Sequence, residues 1–247
     1  MNNYHYREHI KNIYERSLFS DSKAVADDDI QLIYIRQYLP ADPNIFILDA
    51  GCGNGKYATK LKEMGYRNIF AVDLFDNIGR NGDYNYQKAS IDNLPFKDGV
   101  FDFIYSNSVI YYLKNPEVGI QEFSRVLKKN GILLFTSHTK YSLFTVWRRI
   151  KLVCGLHNAI HLKGATFLST GKYKKFLENQ NFKILHVDGY RLSIFFYPLY
   201  VRFSNLLNKK SEISLPLLKA KVSQSILTSR LKSIMAYHFF ISAKKQK

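Results

Sequence analysis

A glycine-rich turn between a strand and a helix is the feature that most constrains the fold of this chain. The apolar residues 45–48 suit a strand that is buried on both faces, and Asp49 follows at its end. Residues 56–64 carry apolar side chains at helical spacing, and between strand and helix stand three alternate glycines, Gly51, Gly53 and Gly55. Glycine has no Cβ, so the backbone can turn sharply and bring amide groups close to a ligand. This order indicates the first half of a nucleotide-binding βαβ unit.

The glycine spacing and the acid before it indicate the class of ligand. A dinucleotide-binding fingerprint reads G-x-G-x-x-G and places a pyrophosphate at the helix N-terminus. This chain reads G-C-G-N-G, and Asp49 stands two residues before Gly51. A carboxylate so close would repel a pyrophosphate, but it suits a ligand that carries an ammonium and a sulfonium group. The stretch resembles motif I of the class I S-adenosylmethionine-dependent methyltransferases, and another Rossmann-like protein is the alternative for this stretch alone.

Two later motifs have the spacing of the same family. Residues 69–73 read as a second strand that ends in Asp73, which follows Gly55 by 18 residues. A carboxylate roughly 20 residues beyond the turn binds ribose hydroxyls in such folds, and a solvated acid at a strand end is the alternative. Residues 90–107 resemble the adenine loop and the fourth strand of the family. The family usually has Asp where this chain has Ser90, whose hydroxyl accepts a hydrogen bond more weakly than a carboxylate.

The resemblance implies a fold and a division of the chain. It covers about residues 44–138, 168–189 and 237–245 and indicates a type 11 methyltransferase-like domain. The implied fold class is α/β: a Rossmann-like seven-stranded methyltransferase sheet flanked by helices, with N-terminal helices and two helical insertions. We expect residues 1–247 to form a single methyltransferase domain. Its parts are, in order, N-terminal helices at 1–40, the cofactor-binding core at 41–138, insertions at 139–167 and 190–236 that form an acceptor or cap region, and the last strand at 237–247.

Periodicity and cap residues predict the remaining elements. Helices are predicted at 3–20 and 28–38, the second with cap residues in the acidic run 27–29. Asn115 and Pro116 begin a helix that runs through Leu127 and stops at Asn130-Gly131. Further predicted elements are a third strand near 84–87, a fifth strand at 132–136, a helix at 171–181, a sixth strand at 182–187 and a last, hairpin-paired strand at 238–245.

The resemblance also implies which residues bind the cofactor, S-adenosyl-L-methionine. They belong to the glycine turn, the end of the second strand, the adenine loop and the end of the fourth strand: Asp49, Gly51, Cys52, Gly53, Asn54, Gly55, Asp73, Leu74, Ser90, Ile91 and Asn107. Cys52 lies inside the turn, where bulk is limited, so we interpret it as a small packing residue and not a nucleophile. Tyr6 and Tyr14 of the first helix could touch the cofactor, although core packing is the favoured role.

No motif determines the catalytic residues. Methyl transfer from a sulfonium depends mainly on positioning, and a general base is needed when the acceptor is a hydroxyl or a protonated amine. The candidates for that base are His138 after the fifth strand and His157 or His161 in the first insertion, with structural or solvated histidines as the alternative. Tyr111 stands where many relatives carry His, so it is a candidate to orient an acceptor or to pack in the core. No Cys/His cluster has metal-ligand spacing, so no metal is expected.

Composition bounds the compartment. The chain of 247 residues contains two cysteines, Cys52 and Cys154, which are too few for a disulfide framework and favour a reducing compartment. Residues 1–8 contain no apolar run typical of a signal peptide, and no run of about 18 apolar residues predicts a membrane-spanning helix. We therefore expect a cytoplasmic protein, and its charge adds the expectation of peripheral contact with the inner membrane face.

Positive charge is concentrated in the second half of the chain. Residues 1–138 hold 16 Lys/Arg and 17 Asp/Glu, whereas residues 139–247 hold 20 Lys/Arg and three acids. Such asymmetry favours an anionic partner, either nucleic acid or a membrane surface, and a lysine-rich composition without a partner is the alternative. Segments 141–154 and 194–203 are aromatic, and a basic amphipathic helix is predicted from Pro216. This pattern indicates docking on a membrane surface, a lipid-like acceptor, or a helical cap packed on the sheet.

Three functions remain in competition at this point. The first is an S-adenosylmethionine-dependent methyltransferase with a small-molecule, lipid or glycolipid acceptor at an anionic membrane surface. The second is a tRNA or RNA methyltransferase, because the turn and residues 94–96 are similar to motifs of the tRNA wobble-uridine methyltransferases and the basic half could follow phosphates. The third is an inactive methyltransferase-like binding protein, which only Ser90 supports. The sequence leaves the acceptor atom open among these hypotheses.

Overall fold

Seven strands of the described residues form one sheet. The computed structural model describes residues 24–75, 83–140, 150, 153, 165–192 and 236–246. The strands are β1 (Phe46–Ala50), β2 (Asn68–Asp73), β3 (Asn85–Lys88), β4 (Phe101–Asn107), β5 (Leu127–His138), β6 (Phe182–Leu192) and β7 (Ala236–Lys245). Their order across the sheet is β3-β2-β1-β4-β5-β7-β6.

The strand directions locate the edge of the sheet where a ligand can bind. The strands β3, β2, β1, β4 and β5 are parallel to one another. Strand β7 lies between β5 and β6 and runs antiparallel to both. The chain moves outward from β1 through β2 to β3 and then returns to β4 on the other side of β1, so the strand order reverses between β1 and β4. In open α/β sheets ligands bind outside the carboxyl ends of the strands at such a reversal.

In the described residues helices follow β1, β4 and β5, and polar side chains cap three of the four α-helices. The helices are α1 (Ile30–Tyr38), α2 (Lys56–Glu63), α3 (Pro116–Val126) and α4 (Thr170–Asn179), with a short 3-10 turn at Ile110–Tyr112. Asp29, Asn115 and Ser169 accept hydrogen bonds from backbone N–H groups in the first turns of α1, α3 and α4. These caps satisfy donors that a helix start would otherwise leave open. The predicted caps at Asp29 and Asn115 are confirmed.

Apolar side chains fill both faces of the sheet because successive strand residues point to opposite sides. One face packs against α3 and α4 through a core that includes Leu48, Val72, Ile104, Leu133, Phe135, Phe239, Ile120, Phe123, Tyr173 and Leu177. The other face packs against α1 and α2 through a core that includes Ile47, Ile69, Ala71, Phe103, Leu134, Phe240, Leu32, Ile35, Ala58 and Leu61. Burial on both faces explains why β1 reads as a continuous apolar run.

The predicted seven-stranded sheet is confirmed, with differences at the ends of elements. Helix α3 ends at Val126 and not at the predicted Asn130-Gly131, because Leu127 pairs with Phe101 and begins β5. Asn130 has a φ of 65°, so these turn-forming residues make an irregularity inside β5 instead of ending the helix. Strand β6 continues to Leu192, beyond its predicted end at residue 187 and into the segment predicted as an insertion.

Several predicted elements lie outside the described residues. These are the helix at 3–20, the aromatic segment 194–203 and the basic helix from Pro216. The aromatic segment 141–154 is described only at Ile150 and Val153, both helical, with 55% and 87% of their surface exposed. Of the helices in the described part of the chain, none is long and apolar enough to cross a membrane.

Candidate cofactor and acceptor site

The turn between β1 and α2 holds its three glycines in the left-handed region of backbone conformation. The φ angles are +84° at Gly51, +55° at Gly53 and +72° at Gly55, a region that side chains with a Cβ rarely adopt. A Cβ on Gly51 would lie 2.3 Å from Val109 Cγ2, so space as well as conformation excludes a side chain there. The N–H of Gly51 donates to Val72 O at 2.8 Å, which ties the turn to the end of β2. The turn is therefore held at the point where the strand order reverses.

Asp73 holds the glycine turn from the neighbouring strand. Its Oδ2 accepts a hydrogen bond from Gly53 N at 2.9 Å, and its Oδ1 accepts one from Phe75 N at 3.2 Å. The side chain is buried, and this burial raises the pKa of Asp73, while the backbone N–H donors of Gly53 and Phe75 act in the opposite direction. Each carboxylate oxygen has a further lone pair. Asp73 thus combines a structural role with the acceptor capacity expected for a ribose-binding carboxylate.

Asp49 is a buried carboxyl group at the end of β1. Burial raises its pKa to about 7, the charge of Asp73 adds to the rise, and the backbone N–H of Ala58 opposes it. The Oδ2 of Asp49 has no hydrogen-bond partner among the described residues. A buried carboxylate with too few donors costs free energy, so the site favours a ligand that brings a cation to it. The residues present fit the ammonium or sulfonium group expected beside this turn.

Two residues of α3 that the sequence analysis missed hold the predicted adenine loop. Glu122 Oε2 accepts a hydrogen bond from Leu94 N at 2.7 Å. Arg125 donates to the backbone oxygens of Leu94 at 2.9 Å and Phe96 at 2.7 Å. Arg125 also donates to both carboxylate oxygens of Glu122, which holds the pKa of Glu122 below its usual range. The pair is separated by three residues in the sequence, but its contact with the loop depends on the tertiary fold.

We expect Arg125→Lys to weaken cofactor binding about tenfold and to lower the free energy of unfolding by about 2 kcal/mol, because a lysine cannot reproduce the forked contacts with the loop. Isothermal titration calorimetry with S-adenosylmethionine and urea unfolding measure the two effects. Arg36→Lys is the matched control, since Arg36 pairs with the exposed Asp27 at the surface. Equal affinities of the Arg125→Lys protein and the control would contradict a role of this clamp in binding.

Side-chain hydrogen bonds to neighbouring strands fix the end of β4. Ser106 Oγ donates to Ala50 O at 2.8 Å. Thr136 Oγ1 donates to Asn107 Oδ1 at 2.7 Å and accepts from Ser108 N at 2.9 Å. Ser108 has a φ of 58°, so the chain turns sharply after the strand. Asn107, a predicted cofactor residue, is therefore anchored beside the end of β1.

Rings from four segments meet at the adjoining ends of β5 and β7. His138 and His238 are register partners, their ring centroids are 4.1 Å apart, and both side chains are buried. The ring of Tyr111 lies 4.4 Å from that of His138 in an edge contact, and Phe167 lies 5.6 Å from it. Tyr111 O accepts from Thr166 N at 2.7 Å, which ties the 3-10 turn to segment 165–169. The sequence analysis predicted His138 and Tyr111 but missed His238, because only the pairing of β7 brings it there.

The structure brings the predicted cofactor residues to the carboxyl ends of β1, β2, β3 and β4 or to the loops that follow them. These residues are Asp49, Gly51, Cys52, Gly53, Asn54, Gly55, Asp73, Leu74, Ser90, Ile91 and Asn107. Cys52 is buried, and burial strongly raises the pKa of its thiol, which fits a packing role. Tyr6, Tyr14, His157 and His161 lie outside the described residues. Within the described ranges, no three His, Cys, Asp or Glu side chains come together as metal ligands.

Residues 48–135 match the family model of the methyltransferase domain. A malonyl-[acyl-carrier protein] O-methyltransferase of Calditerrivibrio nitroreducens is 30% identical over 141 residues, which are 56% of this chain and 52% of that relative. An enzyme of the same name from Buchnera aphidicola is 33% identical over 107 residues, which are 41% of this chain and 42% of that relative. The chain thus spans about half the length, or less, of these curated relatives.

Solved structures share the fold over most of the chain. A methyltransferase of Thermotoga maritima superposes with a TM-score of 0.61 and 19% identity, covering 98% of this chain and 99% of that one. The geranyl diphosphate C-methyltransferase of Streptomyces coelicolor superposes with a TM-score of 0.57 and 16% identity, covering 87% of this chain and 78% of that one. Residues 48–135 thus resemble a methyltransferase domain, and the described sheet has the fold of solved methyltransferase structures.

Proposed function

We propose that this chain transfers the methyl group of S-adenosylmethionine to a small-molecule or lipid-like acceptor. The observation that carries the proposal is the buried Asp49 carboxyl group, whose Oδ2 lacks a donor among the described residues beside a glycine turn. A neutral or anionic ligand would leave that group uncompensated. A cofactor that carries an ammonium and a sulfonium supplies the missing positive charge.

The chain's own residues divide the work of binding. Gly51, Gly53 and Gly55 allow the backbone to approach the ligand closely, and Asp73 fixes that backbone while offering lone pairs to ribose hydroxyls. Glu122 and Arg125 hold the loop expected to receive the adenine. When bound, the cofactor supplies a methyl group on a sulfonium, which is already activated for displacement. The protein then contributes mainly orientation and exclusion of water.

The acceptor is expected at the same edge of the sheet, beyond β4 and β5. Strands β5 and β6 end at this edge and β7 begins there, and in the sequence segments 141–164 and 193–235 connect to these strand ends. Together these two segments contain 11 Lys/Arg and one acid, Glu212. Such charge supports an acceptor that carries a negative group or is presented at an anionic membrane surface. The name of the curated relatives, which refers to a malonyl group on a carrier protein, also supports a small acyl or lipid-like acceptor.

Transfer of a radiolabelled methyl group from S-adenosylmethionine into a cell extract tests the proposal. The organic, small-molecule and RNA fractions are counted separately, with and without vesicles of phosphatidylglycerol. We expect label in the organic or small-molecule fraction, a higher rate with anionic vesicles, and none from the Asp73→Ala protein. The matched control is Asp83→Ala, since Asp83 is exposed at the surface. Label confined to RNA would indicate an RNA methyltransferase, and cofactor binding without any transfer would indicate an inactive binding protein.

A further inference from the structure

The paired histidines at the ends of β5 and β7 have no part in holding the cofactor turn or the adenine loop. His138 and His238 face each other across the antiparallel ladder, with 4% and 6% of their surfaces exposed. They lie at the carboxyl end of β5, the same edge of the sheet that carries the glycine turn. Two buried imidazoles in contact at the reacting edge of the sheet are groups that can accept a proton.

We infer that His138 is the general base of the reaction and that His238 is the positioning residue which keeps His138 neutral. The nucleophilic atom of the acceptor therefore still carries a proton when the acceptor binds. This inference rests on the proposed methyl transfer. It names the acceptor class as hydroxyl or protonated amine, in contrast to an ionised carboxylate, which needs no base.

The distance between the two rings explains why the pair suits this role. Two imidazolium ions with ring centroids 4.1 Å apart repel each other, and removal from water disfavours each charge further. Protonation of one ring therefore opposes protonation of the other. The contact thus favours the neutral form of the imidazole, which is the form that can accept a proton.

Aromatic contacts keep the first ring in place. Tyr111 meets His138 edge-on, and Phe167 packs near it at a centroid distance of 5.6 Å. The hydrogen bond from Thr166 N to Tyr111 O joins the two backbone segments that carry these rings. An apolar surround of this kind limits water near the proton in transfer, which strengthens the electrostatic interactions there.

The proton and electron balance of the step is complete without any further reagent. As the acceptor O–H or N–H atom attacks the methyl carbon, the carbon–sulfur bond breaks and its electron pair stays on sulfur. The acceptor proton passes to the neutral imidazole of His138, which becomes an imidazolium beside the neutral His238. Release of that proton to solvent after product leaves restores the pair.

A pH experiment must distinguish the ionisation of the two histidines from the ionisation of other groups near them. In the described elements around the pair these include Tyr34 on α1, Tyr111 and Tyr112 in the 3-10 turn, Lys140 after β5, His186, Asp188 and Tyr190 on β6, and Tyr237 on β7. The ordinary ionisation ranges of phenols and lysines lie well above neutral pH, and that of Asp lies well below it. His186 is stacked on Phe240 with ring centroids 5.5 Å apart, so His186→Gln is the control variant for a histidine outside the pair.

The chemical stability of the transferred label tests the acceptor class without knowing the acceptor. Radiolabelled product from wild-type protein and cell extract is treated with alkali, which releases methanol from a methyl ester but leaves a methyl ether or methylamine intact. We expect alkali-stable label. His138→Gln should lower kcat by about a hundredfold or more with unchanged affinity for S-adenosylmethionine by calorimetry. His186→Gln should leave both unchanged.

The pH profile distinguishes a base from a merely structural histidine. In the wild-type protein the rate should fall on the acid side as the pair takes up its proton. In His238→Gln the repulsion is gone, so His138 is protonated more readily and the acid limb should move to higher pH. Alkali-labile label, or an acid limb that does not move, would overturn this inference alone. No label above the Asp73→Ala control would overturn the methyl-transfer function and this inference with it.

Discussion

Gly51→Ala should lower the free energy of unfolding by about 2–4 kcal/mol and abolish measurable binding of S-adenosylmethionine, because the new methyl group would meet the Val109 side chain in a backbone conformation with φ of +84°. The expected contact of 2.3 Å is far below any van der Waals distance, so either the turn or the segment after β4 must move. Both border the cofactor site. Urea unfolding and calorimetric titration with the cofactor measure the two losses.

Gly65→Ala is the matched control for that substitution. Its φ of +95° is as unfavourable for alanine as that of Gly51, but nothing lies within 4 Å of the added Cβ. It should therefore cost only the conformational strain, about 1 kcal/mol, and leave cofactor binding intact. The double variant Gly51→Ala/Val109→Ala should recover part of the lost stability. If both single variants lowered the free energy of unfolding equally, the contact with Val109 would contribute nothing to the effect of Gly51→Ala.

Asp49→Asn should stabilise the protein without cofactor while weakening cofactor binding. Burial raises the pKa of Asp49 from an ordinary value near 4 to about 7 in the folded protein. A raised carboxyl pKa means that the folded state binds the proton more tightly, so stability is fully present below the unfolded pKa and is lost as pH rises through about 7. At pH 8 the lost stability is on the order of 4 kcal/mol. Asparagine carries no charge and should be free of this loss.

Measurements at two pH values separate the two effects of Asp49. Urea unfolding should show the difference between the Asn variant and wild type growing from pH 5 to pH 8. Affinity of the wild type for S-adenosylmethionine should rise with pH up to about 7, because only the ionised carboxylate attracts the cationic ligand, whereas the variant should bind weakly and without this dependence. Asp83→Asn, at an exposed carboxylate, should change neither quantity. A variant with wild-type affinity at pH 8 would contradict a cofactor contact at Asp49.

Local sequence patterns were sufficient to predict the strands, the glycine turn and the helix at the candidate cofactor site. The apolar run before Asp49, the alternate glycines and Asp73 lie close together in the sequence. Each of these features can be explained from its local sequence alone. The seven-stranded sheet was implied by the resemblance to the methyltransferase family, and the structure has it. The boundary at Leu127 was wrong because helix and strand meet there without a loop, and the periodicity of one continues into the other.

The long-range part of the site could not be predicted in this way. His238 stands 100 residues after His138, and nothing in its own neighbourhood marks it. Its position depends on the register of β7 against β5, and the residues around either histidine do not specify that register. The clamp made by Glu122 and Arg125 is a similar case, because an exposed-looking acid and base on a helix commonly pair with each other alone.

The place of β7 in the sheet has a consequence for synthesis on the ribosome. This strand separates β5 from β6, so neither can complete its hydrogen-bond ladder on that side until residues 236–245 have emerged. Until then β5 presents an open, apolar edge, which is a template for pairing with another nascent chain. Lys245 strengthens the late closure, since its Nζ donates to the backbone oxygens of Ser124 and Leu127 and so joins the end of β7 to the junction of α3 and β5. Closure of the sheet is therefore a late, non-local event, and delays in translation between β6 and β7 lengthen the period in which the chain is prone to aggregate.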